Sequence, residues 1–175
     1  SKYDGTIRGK RTWATVLFIL AYVSLIFFTI NIHSIYIIGL GPAVLFAAGA
    51  TLGPLLGFII GLVGNFIAGI NYSVDYLYII LLSAIGIWGG LITFDKSYNI
   101  FIGKIDKHHM KKILAYAIMS TILNTVIDIS IIGFRYDFGM ITGIVPNILR
   151  YQGIQLLTIV LVGMPLLKLM AKLRK

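Results

Sequence analysis

From Gly39 to Ile70 the chain reads GLGPAVLFAAGATLGPLLGFIIGLVGNFIAGI, without one ionisable side chain, and Gly53-Pro54 interrupts the run near its middle. One membrane-crossing helix needs roughly twenty apolar residues, so this length fits two spans joined by a tight turn. Pro54 lacks a backbone N–H and disfavours a helical residue before it, which makes Gly53-Pro54 the expected corner. Small residues recur on both sides: Ala43, Ala47, Ala48, Gly49 and Ala50 before the corner, then Gly57, Gly61 and Gly64 after it. In lipid, Leu against Leu gains nothing over Leu against an acyl chain, so close helix approach depends on such residues. The expectation is a packed helical hairpin in a bilayer, around which other helices assemble.

The remaining sequence extends this pattern. The chain is 58% hydrophobic with a mean hydropathy of +0.94. Apolar runs of spanning length recur throughout, so we expect an all-α integral membrane protein, one six-helix transmembrane domain over residues 1–175. The expected spans are 13–30, 35–52, 55–70, 77–93, 113–134 and 146–169, with Trp13 placed as an interfacial aromatic. Asn31–Ser34, Asn71–Tyr76 and Arg135–Gly139 would connect helices on one side of the membrane. The termini, the Gly53-Pro54 corner and the polar Asp95–Lys112 segment would share the other. Within that segment Tyr98–Ile105 is partly apolar and is expected to form a short interfacial helix. Every Lys and Arg except Arg135 and Arg150 falls on the side of the termini. The positive-inside rule makes that side cytoplasmic, giving a multi-pass cell-membrane protein with both termini inside. The first apolar run is too long for a signal-peptide core, so no cleavable signal is expected.

Several function classes are disfavoured. With no cysteine there are no disulfides, thiol nucleophiles or thiolate metal sites. The net charge of +9 comes from residues flanking the apolar runs, with no stripe of base-stacking aromatics, so nucleic acid is not expected as a partner. There is no HExxH, no paired carboxylates and no Walker lysine loop, and no Ser, His and Asp set is expected on one face. The chain is therefore expected not to be an enzyme. His108-His109 has no third ligand nearby, and neither a metal nor a cofactor is expected.

Polar groups within membrane helices are costly and tend to face the bundle interior or a wet pocket. The candidates are Asn65, Asn124, Asp128, Asn147, Arg150, Gln152 and Gln155. Asn124 and Asp128 are four apart and share a helix face, and Asn147 and Arg150, three apart, share another. Asn71, Tyr72, Asp75, Tyr76 and Tyr78 from the third loop, His33 from the first, and Tyr151 complete a ring at the outer mouth. The substrate-binding candidates are Asn147, Arg150, Asn124, Asp128, Asn71, Tyr72, Asp75, Tyr78, His33 and Tyr151. Structural alternatives stand beside these roles. Arg150 would pair with Asp128 or snorkel outward, Asn65 and Asn124 would hydrogen-bond between helices, His33 would be solvated, and the tyrosines would form an interfacial belt.

A six-span chain of this size with GPAVLFAAGATLGPLLGFIIGLVGN over its second and third spans resembles the substrate-binding S components of energy-coupling factor (ECF) vitamin transporters. Those proteins carry a Gly-Pro corner after the second helix and a glycine-spaced third helix. Pro146-Asn147-Ile148-Leu149-Arg150 is similar to the Pro, Asn and Lys pattern of riboflavin-type S components, in which Asn and Lys face the ligand. The resemblance thus implies that role for Asn147 and Arg150, with Arg offering a planar fork suited to carboxylate or phosphate. It also implies an S-component-like bundle that captures a small water-soluble vitamin or related micronutrient outside the cell. Partners would be a transmembrane coupling subunit and two cytoplasmic ATPases, since the chain has no ATP-binding loop of its own. The family's Ala-x-x-x-Ala docking face on the first helix is altered here, with Ala14 and Ala21 seven apart and Ala21 and Ser24 three apart. Arg150 and Arg135 favour an anionic ligand, whereas Asp75 and Asp128 leave a cationic one open. The alternative resemblance is to MreD-type membrane scaffolds of the cell-shape machinery, which have a similar size and span number and need no small-molecule pocket.

Overall fold

A computed structural model describes residues 2–27, 29–32, 36–72, 76–135 and 138–173. Its corner forms where the sequence requires one. Helix α2 (Gly41–Leu52) ends at Gly53, whose φ of 100° and ψ of 167° lie in a region that side chains disfavour. The Gly53 N–H donates to Gly49 O at 2.8 Å, and Gly57 N–H returns to Gly53 O at 3.0 Å. Pro54 opens α3 (Pro54–Tyr72) at a first-turn position where its missing N–H costs nothing.

Helix α2 has 12 residues, so it spans about 18 Å against a hydrocarbon core of about 30 Å. This corrects the expected 35–52 span. Tyr36–Gly39 is strand β2, paired antiparallel with β1 (Thr29–Ile32), with Thr29 opposite Gly39 and Ile32 opposite Tyr36. The β-branched Thr29, Ile30, Ile32, Ile37 and Ile38 favour extended backbone. Gly39 and Gly41 weaken a helix through this region, and Pro42 suits a helix start. The first helix, α1 (Lys2–Phe27), accordingly stops before the hairpin, and Asn31 and Ile32 sit in a strand rather than a turn.

Four further helices follow. They are α4 (Tyr76–Gly90), α5 (Lys107–Arg135), α6 (Phe138–Thr158) and α7 (Met164–Lys172). Helix α6 starts before the expected 146 and runs through Pro146, so Phe138 and Gly139 are helical rather than looped. A wide π turn over Ile159–Gly163 joins α6 to α7. It precedes Pro165, which lacks the N–H that would bond Leu161 and whose ring crowds that carbonyl in a regular helix. The interfacial helix expected over Tyr98–Ile105 is instead a compact turn. Asn99 pairs with Lys104, its side chain accepts the Phe101 N–H at 2.9 Å, and Gly103 sits at φ 69° around a 3₁₀ turn at Ile100–Ile102. Tyr98 and Ile100 are buried there and anchor the turn on the bundle.

Four helical segments are long and apolar enough to cross a membrane: Gly9–Ile26, Tyr76–Phe94, Lys107–Arg135 and Ile141–Lys172. Gly41–Leu52 and Pro54–Ile67 are shorter apolar helices. Helix α2 is buried on nearly every side, touching α1, α3, α4, α6, α7 and the π turn. Three helices meet through their backbones at its centre. A Cβ added at Gly49 or Gly86 would overlap the facing main chain, and one at Gly57 would lie 2.7 Å from the Gly49 Cα. Farther along, a Cβ at Gly61 would lie 2.7 Å from the Ser83 Cα. A buried hydrogen-bond chain ties the same bundle together. Tyr22 donates to Asn65 Oδ1 at 2.9 Å, Asn65 Nδ2 to Ser83 Oγ at 3.2 Å, and Ser83 to Ile79 O at 2.6 Å. Asn65 is thus interhelical glue joining α1, α3 and α4.

The start of α1, the corner and the 95–106 segment lie at one end of the bundle. Arg11 Nη2 donates to Leu52 O at 2.9 Å, and Tyr98 OH donates to Ala50 O at 2.8 Å. Because the glycine contacts are backbone against backbone, Gly57→Val should cost about 3 kcal/mol and sharply lower the thermal unfolding temperature in detergent. Leu55→Val, at a 70% exposed position, should shift stability by no more than about 0.5 kcal/mol. Equal melting temperatures for the two variants would contradict this packing.

Candidate functional site

Helices α4, α5 and α6 line a half-open cavity of about 350 Å³ near the end of the bundle opposite the Gly53 corner. Helix α5 contributes Asn124, Asp128 and Ile132, successive positions of a stripe spaced by four, and all three are buried. Helix α6 contributes Ile144, Asn147, Ile148, Tyr151 and Gln152, and α4 contributes Tyr78, Leu81 and Leu82. Asn124, Asp128 and Gln152 are buried and form the floor, whereas Asn147 and Tyr151 are exposed and sit at the mouth. Gln152 Nε2 donates to Asp128 Oδ2 at 2.7 Å across the α5–α6 interface. The other oxygens of this pair, Asp128 Oδ1 and Gln152 Oε1, have no hydrogen-bond partner among the described residues.

The structure thus brings together five of the residues expected to bind substrate, namely Tyr78, Asn124, Asp128, Asn147 and Tyr151. It also adds Gln152, whose signal was a carboxamide within an apolar helix. Arg150 is exposed and does not line the cavity. At 100° per residue it points roughly 130° away from the centre of the lining arc, which falls between Ile144 and Ile148. Asn71 and Tyr72 form the last turn of α3. His33 and Asp75 lie outside the described residues.

Two larger cavities have different chemistry. One of about 660 Å³ runs along α1 beside Trp13, Leu17, Phe18, Leu166 and Met170, with Lys10 at one end, and suits acyl chains. The other, about 610 Å³, lies under the Gly53 corner, where Arg11 is engaged by the Leu52 carbonyl. Neither contains a buried side-chain polar atom lacking a partner among the described residues.

At the corner end, the structure corrects one expectation by gathering Ser97, His109 and Asp106. Ser97 Oγ is 2.9 Å from His109 Nε2, and Asp106 Oδ1 is 3.0 Å from Nδ1. The spacing resembles a nucleophile–base–acid relay, but the hydrogen bonds run the wrong way. The Asp106 N–H donates to Nδ1 at 3.2 Å, which assigns the ring proton to Nε2. Nε2–H then donates to Ser97, and the Ser97 hydroxyl donates to Asp95 Oδ1 at 2.6 Å. Nε2 therefore has no lone pair to take the serine proton. Reciprocally, Asp106 Oδ1 accepts the His109 N–H at 2.9 Å, so this pair is a capping box at the start of α5 with His in place of Glu. Among the described residues, no group of three or more His, Cys, Asp or Glu is arranged to hold a metal.

The same network holds the 95–106 segment down. Lys112 donates to Asp95 Oδ2, and Ser97 donates to Oδ1 through both its hydroxyl and its N–H. The Lys112 bond, followed by those from Ser97, keeps the Asp95 carboxyl well below the usual carboxylate range.

No protein-family profile, curated protein or solved structure matches the chain.

A carboxyl lowered on folding stabilises above its unfolded pKa of about 3.9, and that contribution is lost as pH falls towards the folded value. Amide hydrogen exchange over residues 96–105 should therefore accelerate as pH drops below about 4, after correction for intrinsic rates. Asp95→Asn should produce the faster exchange already at neutral pH. Unchanged protection in that variant would contradict the anchoring role.

Proposed function

We propose that this chain is a substrate-binding membrane subunit of the S-component type, taking a small water-soluble micronutrient into the α4–α5–α6 cavity from the outer side. The observation that carries the proposal is the cavity itself. Asn124, Asp128 and Gln152 are polar, buried and brought to one place between apolar helices, where a bundle with no ligand to hold would favour apolar packing. The tyrosines at 78 and 151 offer ring faces beside these polar groups.

In this reading α1, the β hairpin with α2, α3, α4, α5 and the α6–α7 rod make six crossings, with both termini, the Gly53 corner and the 95–106 segment in the cytoplasm. The charge bias of the sequence favours that orientation. Binding, and not hydrolysis, is the chain's part. Energy would come from two cytoplasmic ATPases acting through a transmembrane coupling subunit. A scaffold of the MreD type would have no use for buried oxygens lacking partners among the described residues, and this observation favours the transporter reading over it.

Native mass spectrometry of the protein purified in mild detergent should show an additional mass in the vitamin range. Asp128→Ala and Asn147→Ala should remove it, and Arg150→Ala should retain it. A spectrum with no bound small molecule, together with no thermal shift across a panel of water-soluble vitamins, would overturn the proposal.

A further inference from the structure

Asp128 and Gln152 make one hydrogen bond to each other, and each keeps an unused oxygen. Gln152 Nε2 is used on Asp128 Oδ2, leaving Asp128 Oδ1 and Gln152 Oε1 as buried acceptors without donors among the described residues. Both residues are more than nine-tenths buried, with relative exposures of 6% and 3%, and both line the cavity. A buried acceptor left unmatched costs on the order of 1–3 kcal/mol, and more when it is charged. Among the described residues the lining contributes no Lys, Arg or His, so none of them supplies a positive charge to face Asp128. Gln155 Nε2 is a third buried side-chain atom, a donor, with no geometric hydrogen-bond partner among the described residues, but Gln155 does not line the cavity.

We infer that the ligand of this cavity carries N–H donors on a positively charged, planar nitrogen group, of the amidinium or amino-heterocycle class. This inference rests on the reading of the cavity as a ligand site. One N–H would meet Asp128 Oδ1 and a neighbouring N–H would meet Gln152 Oε1, giving a forked, charge-assisted pair of hydrogen bonds. Tyr78 and Tyr151 suit the ring that carries the group, because aromatic faces favour cations. The volume agrees with an organic cation rather than a bare ion. About 350 Å³ corresponds to the liquid volume of about a dozen waters. The class differs from the anionic ligand that Arg150 and Arg135 suggest in the sequence, since Arg150 faces away from the lining stripe.

The test uses three probes of one shape: benzamidinium, benzamide and benzoate. Each is titrated into the full-length protein in phosphatidylcholine nanodiscs, whose headgroup offers no N–H donor, with any co-purified ligand washed out and binding read by saturation-transfer NMR. Benzamidinium should bind most tightly, benzamide more weakly, and benzoate least. Asp128→Asn, nearly isosteric, should weaken benzamidinium at least about tenfold and leave the benzamide affinity within a few-fold. Its unliganded melting curve controls for folding. Benzoate binding as tightly as benzamidinium, at a cavity whose Tyr78→Ala variant loses it, would overturn the cationic class while leaving the ligand-site reading intact. Silence of all three probes overturns this inference. If native spectra also lack a bound molecule, the ligand-site reading falls with it.

Discussion

The contact of Gly49, Gly57 and Gly86 at the centre of the bundle is the constraint on which the rest of the structure depends. Each lacks a side chain where the facing backbone leaves no room for one. In a membrane this closeness replaces the hydrophobic drive available in water, because acyl chains solvate leucine as well as another helix does. The consequence is that a helix too short to cross the bilayer, α2, is held in the middle of the molecule and surrounded by the others. Helix α4 is fixed against it, α5 packs on α4, and α6 packs on α5. The cavity wall is therefore built on rigid helices, which suits a site requiring fixed donor and acceptor positions.

Polar groups inside the bundle divide into two kinds. Tyr22, Asn65 and Ser83 form a chain that ends on a helix carbonyl and joins α1, α3 and α4. Asp128 and Gln152 also join two helices, but each retains an oxygen with no partner among the described residues, facing a cavity. The first arrangement is complete as it stands and works as structure. The second leaves two oxygens facing a cavity, and on the proposed reading a ligand completes it, which would distinguish a site from glue among residues of the same chemical types. Outside the helical bundle proper, the Asp95, Ser97, His109 and Lys112 network is again complete. Its bond directions make it a cap and an anchor, despite side-chain spacings that resemble a catalytic relay.

Much of this was legible in the sequence wherever the chemistry is local. Gly53-Pro54 specifies a corner by itself, and the glycines around it announce close packing whatever they pack against. Asn124 and Asp128 share a face because any helix places residues four apart together. Other features were set by neighbours and were not legible. The three-residue spacing of Asn147 and Arg150 fits one face of a helix, but which arc faces inward is decided by α4 and α5. That arc centres between Ile144 and Ile148, so Asn147 sits at its edge and Arg150 falls about 60° beyond that edge. Gln152 was visible as a costly polar residue in an apolar helix, yet its pairing with Asp128 joins two helices and leaves no periodic trace. The strands at Thr29–Ile32 and Tyr36–Gly39 looked like helix because hydropathy does not distinguish an apolar strand from an apolar helix. The β-branched residues between Thr29 and Ile38 were the available sign.

On the proposed reading, helices locked at the glycine contact hold the α4–α5–α6 cavity open for a ligand. An experimental density map of the protein extracted in mild detergent, at a resolution that defines side chains, tests this most directly. Compact non-protein density is expected within hydrogen-bonding distance of Asp128 Oδ1 and Gln152 Oε1, with Gly49, Gly57 and Gly86 in backbone contact. A collapsed cavity in which protein groups satisfy both oxygens, or one filled by an acyl chain, would contradict it.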